Sequence, residues 1–108
     1  MDQAVQAELD PVLALIAPHI DAAFYRARNP DVAAAGMAPA EHYWRMGWRE
    51  GRDPNPWFRT DYYLRAHPDV RAAGLNPFWH FLVRGRTEGR QAREPGGAWR
   101  ATLDAMLP

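Results

Sequence analysis

The chain has 108 residues, a formal net charge of zero from 13 arginines and 13 acidic residues, and no cysteine. This length suits a single domain. The charge balance argues against general binding to nucleic acids or anionic membranes, which need a net basic surface. The absence of cysteine excludes disulfides and thiolate metal sites. A hydrophobic fraction of 47% with five tryptophans supplies enough apolar surface for a core.

Residues 1–19 are predicted to form an N-terminal helical extension. Apolar residues recur there at helical spacing and form one stripe, made of Ala4, Val5, Leu9, Val12, Leu13 and Ile16. Pro11, with Asp10 as its cap, divides the stretch into two short helices or kinks a single one. The acidic N-terminus lacks the basic region of a secretory signal, and the longest apolar run is too short to span a bilayer. We therefore expect cytoplasmic synthesis without a signal peptide and no membrane insertion.

Most of the remaining chain is a sequence repeat with an offset of 38 residues. Residues 20–54 align with residues 58–92, and 13 of these 35 positions are identical. The identical pairs are Tyr25/Tyr63, Pro30/Pro68, Asp31/Asp69, Val32/Val70, Ala34/Ala72, Ala35/Ala73, Gly36/Gly74, Pro39/Pro77, His42/His80, Gly47/Gly85, Glu50/Glu88, Gly51/Gly89 and Arg52/Arg90. Identity at one fixed offset predicts two tandem structural repeats, which we place at residues 20–57 and 58–92.

Each repeat is predicted to contain three short helices. In the first and second repeats, respectively, the first helix is capped by Asp21 and by Thr60. The second helix starts at Pro30 and Pro68 and ends at the left-handed Gly36 and Gly74. The third helix starts at Pro39 and Pro77, with Asn76 as a cap in the second repeat, and ends at Gly47 and Gly85. No stretch alternates apolar and polar residues for long enough to make a sheet. The predicted fold class is therefore all-α, with two tandem repeats of about 38 residues between an N-terminal and a C-terminal helix.

Residues 93–108 are predicted to be a linker followed by that C-terminal helix. Trp99, Leu103, Met106 and Leu107 lie on one of its faces. A helix of this length is marginal alone in water. We therefore expect its apolar face to dock on the domain itself or on another subunit.

His42 and His80 occupy equivalent positions and could form a metal site or an acid–base pair. A structural requirement that is the same in both repeats also explains why the histidine recurs. We therefore favour two histidines packed beneath a helix, each bonded to a backbone carbonyl. Asp31 and Asp69 are interpreted likewise, as acids in the first turn of a helix rather than as paired catalytic carboxylates. The chain has no phosphate loop, calcium loop, nucleophile elbow or zinc spacing. The sequence thus predicts no enzyme, no metal and no cofactor.

The turns Glu50-Gly51-Arg52 and Glu88-Gly89-Arg90 could bind an anion, but we expect their Glu and Arg to tie one repeat to the next. Residues 84–100 are the one locally basic stretch of the chain. Arg86, Arg90 and Arg93 within it are candidates for contact with an acidic polysaccharide, nucleic acid or an acidic protein patch. A solvated surface is the alternative.

Several tryptophans have no counterpart in the other repeat, since Trp48 aligns with Arg86 and Trp79 with Glu41. Aromatic residues that the partner repeat lacks are not required by the repeat's own core. Trp48, Trp57 and Trp79 are therefore candidates for a protein interface or a sugar-stacking surface, and a packing role particular to one repeat stays open. Function is expected where the two copies differ and at the chain ends.

The second repeat reads Thr60-Asp61-Tyr62-Tyr63-Leu64, Pro68-Asp69-Val70, Ala73-Gly74, Asn76-Pro77, His80-Phe81-Leu82, Gly85 and Glu88-Gly89-Arg90. This pattern resembles a bacterial tandem helical repeat that is appended to some surface-polysaccharide glycosyltransferases and occurs in some large surface or secreted proteins. In those proteins the repeat is an accessory and not the catalytic part. A second resemblance, carried by no residue motif, is to the base protein of a head spike on phage-like gene transfer particles. It rests on the lone module, the missing export signal and the amphipathic ends.

These observations predict a non-enzymatic structural adaptor in a multi-subunit assembly, with the base of a spike or fibre on a phage-like particle as its setting. The expected partners are other protein subunits, as a homo-oligomer together with a fibre or capsid-like protein, and the chain would travel in a released particle. The alternative is a glycan-binding accessory module of a bacterial surface-polysaccharide system. That module would use Trp48, Trp57 and Trp79 with nearby arginines.

Overall fold

The computed structural model describes residues 11–95, and this part of the chain is all-α. Short 3-10 turns follow the first and fourth helices, at Ala17–His19 and Gly47–Glu50, and a π-helical turn, Phe81–Gly85, follows the last. Residues 11–95 contain no strand, only an isolated bridge between Asn55 and Phe58. The helices are α1 (Pro11–Ile16), α2 (Ala22–Arg28), α3 (Pro30–Ala34), α4 (Pro39–Arg45), α5 (Thr60–Ala66), α6 (Pro68–Ala72) and α7 (Pro77–His80).

Proline and glycine set most of these boundaries. A proline opens α3, α4, α6 and α7, as predicted, because its fixed φ suits the first helical position and its missing N–H has no partner there anyway. Gly36 and Gly74 follow α3 and α6 with φ of 68° and 67°. Glycine adopts this left-handed conformation without the steric cost that a Cβ brings.

Of the predicted side-chain caps, Asp21 and Asn76 are confirmed, and Asp10 lies outside the described residues. Asp21 Oδ1 accepts the amide of Phe24 at 3.0 Å, and Asn76 Oδ1 accepts the amides of Phe78 and Trp79. The prediction for Thr60 is wrong. Thr60 is the first residue inside α5, its amide donates to Asp53 Oδ1 at 2.9 Å, and its hydroxyl donates to the carbonyl of Arg52. The cap of α5 therefore comes from the loop before the helix.

The two aligned stretches each contain the same backbone hydrogen bond between their ends, made by residues 38 positions apart. The amide of Asp21 donates to the carbonyl of Pro54, and the amide of Arg59 donates to the carbonyl of Ala92, each at 3.0 Å. Each bond places the last residue of a 35-residue stretch beside its second residue. The two stretches thus close on themselves in the same way.

An aromatic core joins α4 to α5 and α7. The ring of Phe78 lies 4.9 Å from Phe58, 5.5 Å from Trp57 and 6.2 Å from Tyr43, centroid to centroid. The hydroxyl of Tyr43 lies 2.9 Å from Thr60 Oγ1, and all five side chains are buried. Because Tyr43 comes from the first stretch and the other four residues from the second or the loop before it, this core holds the two stretches together.

Helix α1 packs against both α4 and α7, with Ile16 fully buried. Tyr43 and Phe81, the aligned aromatic pair, also lie in the core. None of the helices within residues 11–95 is long and apolar enough to cross a membrane.

Candidate functional site

The repeated histidines are buried, and each is hydrogen-bonded to a tyrosine. The hydroxyl of Tyr25 lies 2.7 Å from Nδ1 of His42, and the hydroxyl of Tyr63 lies 2.8 Å from Nδ1 of His80. The expected partner, a backbone carbonyl, is replaced by a hydroxyl because α2 and α5 each direct a tyrosine beneath the following third helix. Burial lowers the pKa of His80, which favours its neutral form. Residues 11–95 contain no cluster of three side chains that could hold a metal ion.

Each tyrosine–histidine pair requires a glycine beside it. A Cβ on Gly47 would overlap the hydroxyl of Tyr25, and a Cβ on Gly85 would overlap the hydroxyl of Tyr63. Both glycines are buried. The close approach of the hydroxyl therefore explains why the sequence places glycine at both positions.

Each of the repeated arginines is bonded to two acidic side chains. Arg52 bonds both carboxylate oxygens of Asp31 at 2.9 Å, and its Nε donates to Glu50. Arg90 bonds Asp69 and Glu88 in the same way. Both guanidinium groups reach back 21 residues within their own stretch, so the prediction of ion pairs from one repeat to the next is wrong. The carbonyl of Arg52 does accept a hydrogen bond from the Thr60 hydroxyl of the second repeat. The arginine holds the pKa of Asp31 at about 2 and the pKa of Asp69 well below its usual range.

The basic stretch from residue 84 does not supply a set of unused arginines. Arg90 is committed to its two carboxylates, and Arg93 donates to the carbonyl of Pro56 at 2.8 Å. Arg86 is half-buried and interacts with other residues. The predicted contact residues Trp99, Leu103, Met106 and Leu107 lie outside the described residues and stay a prediction.

Two of the three candidate tryptophans meet at one open groove between α1, α4 and α7. Its volume is about 450 Å³, and its walls include Trp44, Arg45, Trp48, Arg49, Leu75 and Trp79. The indole N–H of Trp48 donates to the carbonyl of Trp44 at 3.1 Å, and the guanidinium of Arg49 stacks 4.9 Å from the Trp48 ring. We call this the aromatic groove.

Trp57 does not line this groove, and the prediction that it belongs to a protein interface or a sugar-stacking surface is wrong. Only 2% of Trp57 is exposed, because its ring packs on Phe78 and Phe81 in the core. A partner or a sugar therefore has no access to it.

A second groove adjoins the first and shares Trp48 and Arg49 with it. Its volume is about 520 Å³, and Leu64, Arg65, Arg71, Asp61 and Gly51 complete its walls. Three arginines thus face a single carboxylate among the lining residues. We call this the cationic groove.

Five further groove residues were not predicted from the sequence: Trp44, Arg45, Arg49, Arg65 and Arg71. A signal for them was nevertheless present, since each differs from the residue at the aligned position: Leu82, Val83, Thr87, Ala27 and Ala33. Among the groove-lining residues that fall within the repeats, only Gly51 and Gly74 are identical in the other copy. The divergent positions of the two repeats therefore converge on one surface.

No family model, no curated protein and no solved structure matches this chain.

Proposed function

We propose that this chain is a non-enzymatic structural adaptor, built of two tandem repeats and placed in a multi-subunit assembly. The observation that supports this most is how its polar residues are used. The repeated groups that could perform chemistry are paired internally, and in the same way in both copies: Tyr25 with His42, Asp31 with Arg52, and the same residue types at Tyr63, His80, Asp69 and Arg90. Such satisfied networks stiffen a body rather than expose a reactive group.

The proposed setting is the base of a spike or fibre on a phage-like particle. The resemblance described above supports this setting, and the predicted apolar face of the C-terminal helix suits docking on a neighbouring subunit. The partners would be further copies of the chain, together with a fibre or capsid-like protein. The chain would enter a released particle with them.

The test is the assembly state of the full chain with one charge placed on its C-terminal face. Leu103→Glu places a carboxylate on the predicted apolar face, where burial without a partner is costly. We expect wild type to sediment as an oligomer and Leu103→Glu as a monomer of unchanged helix content. Ala101→Glu adds the same charge on the opposite face of the predicted helix and should leave the oligomer intact.

A wild-type chain that stays monomeric at high concentration, by light scattering, would argue against the adaptor. Equal loss of assembly in Leu103→Glu and Ala101→Glu would show that the predicted face is not the contact.

A second candidate function is a glycan-binding accessory module. It is supported by the aromatic groove, where Trp48 and Trp79 meet beside Arg49 on an open surface. Tryptophan faces combined with a few placed polar groups are typical of ligand sites. Titration of the intrinsic tryptophan fluorescence with neutral and acidic oligosaccharides tests it, and a signal that none of them alters would remove it.

A further inference from the structure

We propose that the aromatic and cationic grooves form one continuous site for an acidic polysaccharide. Its sugar rings would lie on Trp48 and Trp79, and its carboxylates would pair with Arg49 and Arg71. This inference rests on the glycan-binding candidate function and names the ligand class of that same site. It goes further in giving the ligand's charge, its path across two grooves and its stoichiometry.

The aromatic groove is pre-organised for stacking. The only polar atom of the Trp48 side chain is used inside the protein, in its bond to the carbonyl of Trp44. The indole therefore offers its ring as contact surface and loses little freedom when a ligand binds. Trp79 lines the same groove, on α7, whose first turn is held by the Asn76 cap. Trp48, in the 3-10 turn Gly47–Glu50, and Trp79, on α7, can thus meet the apolar C–H faces of a sugar chain.

The cationic groove supplies the charge. Arg49 and Arg71 are exposed, and neither forms an ion pair with a carboxylate of residues 11–95. This distinguishes them from Arg52 and Arg90, whose guanidinium groups are filled by acidic side chains. A guanidinium binds a carboxylate in a bidentate manner and also stacks on aromatic rings. Arg49 already stacks on Trp48, so it carries positive charge to the boundary of the two grooves.

The surface fits an acidic sugar chain better than an acidic peptide. An extended peptide that binds by adding a strand needs a free strand edge, and residues 11–95 have no strand. A bound helix needs a continuous apolar groove, whereas guanidinium groups interrupt the rings here. A uronic acid unit combines an apolar ring face with a carboxylate, which matches this alternation.

The chain should hold one such site, although its sequence is duplicated. The positions aligned with Trp48, Trp79, Arg49 and Arg71 are Arg86, Glu41, Thr87 and Ala33. A second site built from these residues would lack both indoles and both unpaired cations. Groove residues from α4 and α6–α7 also come from different repeats, so the site forms only where the two meet.

The experiment is calorimetric titration of the full chain with oligosaccharides of galacturonate, hyaluronate and alginate. Maltooligosaccharides serve as neutral glycans, and polyglutamate serves as the acidic peptide. We expect one acidic oligosaccharide per chain to bind. Arg71→Glu and Arg49→Glu should each weaken binding by about tenfold or more, the effect of losing a charge-assisted hydrogen bond. Trp79→Ala should weaken it by about tenfold.

The matched control is Arg84→Glu, the same change at an exposed arginine that lines neither groove. It should leave the affinity within about twofold of wild type. Circular dichroism on each variant separates loss of the site from loss of the fold, and the exposed arginines allow the test even if Trp79→Ala unfolds.

Other outcomes overturn the inference in distinguishable ways. Equal binding of maltooligosaccharides, unaffected by the arginine variants, would refute an acidic ligand but keep the glycan-binding function. Polyglutamate binding as tightly as the acidic glycans, with Trp79→Ala silent, would point to an acidic protein instead. Two sites per chain would refute the shared site. No binding of any saccharide would remove both the inference and the glycan-binding function, leaving the adaptor to its own test.

Discussion

Arg52 and Arg90 show how a single residue joins two segments of one sequence repeat. Each guanidinium bridges an aspartate in the first turn of a helix and a glutamate two residues before itself. Bidentate pairing fixes the angle between the two segments as well as their distance. The Glu-Gly-Arg turn is thereby fastened to the start of α3 or α6. Because these carboxylates are exposed, the ion pairs contribute little to the free energy of unfolding, and their main effect is to fix the geometry of the turn.

The ion pairs give a pH-dependent stability whose sign follows from the pKa of Asp31. Its folded value is about 2 and its ordinary value is 3.8. Between these values the unfolded chain takes up a proton that the folded chain does not, so acid favours unfolding. We expect the urea midpoint of wild type to fall as the pH is lowered from 4 to 2. In Asp31→Asn with Asp69→Asn the midpoint should fall less steeply.

The measurement is urea unfolding followed by circular dichroism at a series of pH values. Parallel curves for wild type and the double variant would contradict the assignment. High salt is the control, since it screens exposed pairs and should bring the two curves together.

At the scale of helices, boundaries come from two kinds of cap. Asp21 and Asn76 cap their own helices from the position immediately before the first turn, which is a local pattern in the sequence. Helix α5 has no side-chain cap at its own N-cap residue, Arg59, and is capped by Asp53 across the connecting loop. Burial raises the pKa of Asp53, while the bond to the Thr60 amide acts against that shift. The connection between the repeats is therefore part of how the second repeat starts.

Replacement of Asp53 tests this cap. Asp53→Ala removes the acceptor of the Thr60 amide, and we expect it to lower the free energy of unfolding by about 1 kcal/mol. Asp53→Asn keeps a side-chain oxygen at the same position and should retain most of that stability. Urea unfolding at pH 7 measures both. Equal losses in the two variants would mean that the charge, paired with Arg59, matters and the cap does not.

At the scale of the whole molecule, the aromatic core joins the two sequence repeats. Tyr43 from the first repeat packs edge-on against Phe78 of the second, and its hydroxyl meets Thr60. Helix α1 lies against the third helix of each repeat. Short helices bury too little apolar surface to be stable singly. Neither repeat is expected to stay folded when the other opens.

Gly47→Ala tests this coupling. The new Cβ overlaps the hydroxyl of Tyr25, and overpacking of this kind costs about 1–3 kcal/mol. We expect amide hydrogen exchange to accelerate in α5–α7 as well as in α2–α4, because both share one core. The measurement is exchange followed by mass spectrometry of peptides from each repeat.

The control for this prediction is Gly36→Ala. Its Cβ meets no atom within 4 Å, so only the positive φ of 68° opposes it. The expected cost is about 1 kcal/mol. Faster exchange confined to α2–α4 in Gly47→Ala would show that the repeats open independently.

The sequence by itself determined the features that depend on neighbours along the chain. These features act over only a few residues, so they can be predicted without knowledge of the tertiary structure. They are the prolines at helix starts, the left-handed Gly36 and Gly74, and the caps Asp21 and Asn76. The all-α class follows from the same local signals.

Tertiary structure alone decided which tryptophans are accessible and which polar groups pair. Trp57 is buried while Trp48 and Trp79 line a groove, although all three looked alike in the sequence. The repeated histidines are hydrogen-bonded to tyrosines 17 residues away, and the repeated arginines pair with aspartates 21 residues away in their own repeat. Burial and pairing at such separations are set by how the helices pack on one another. The groove, too, exists only where the two repeats meet.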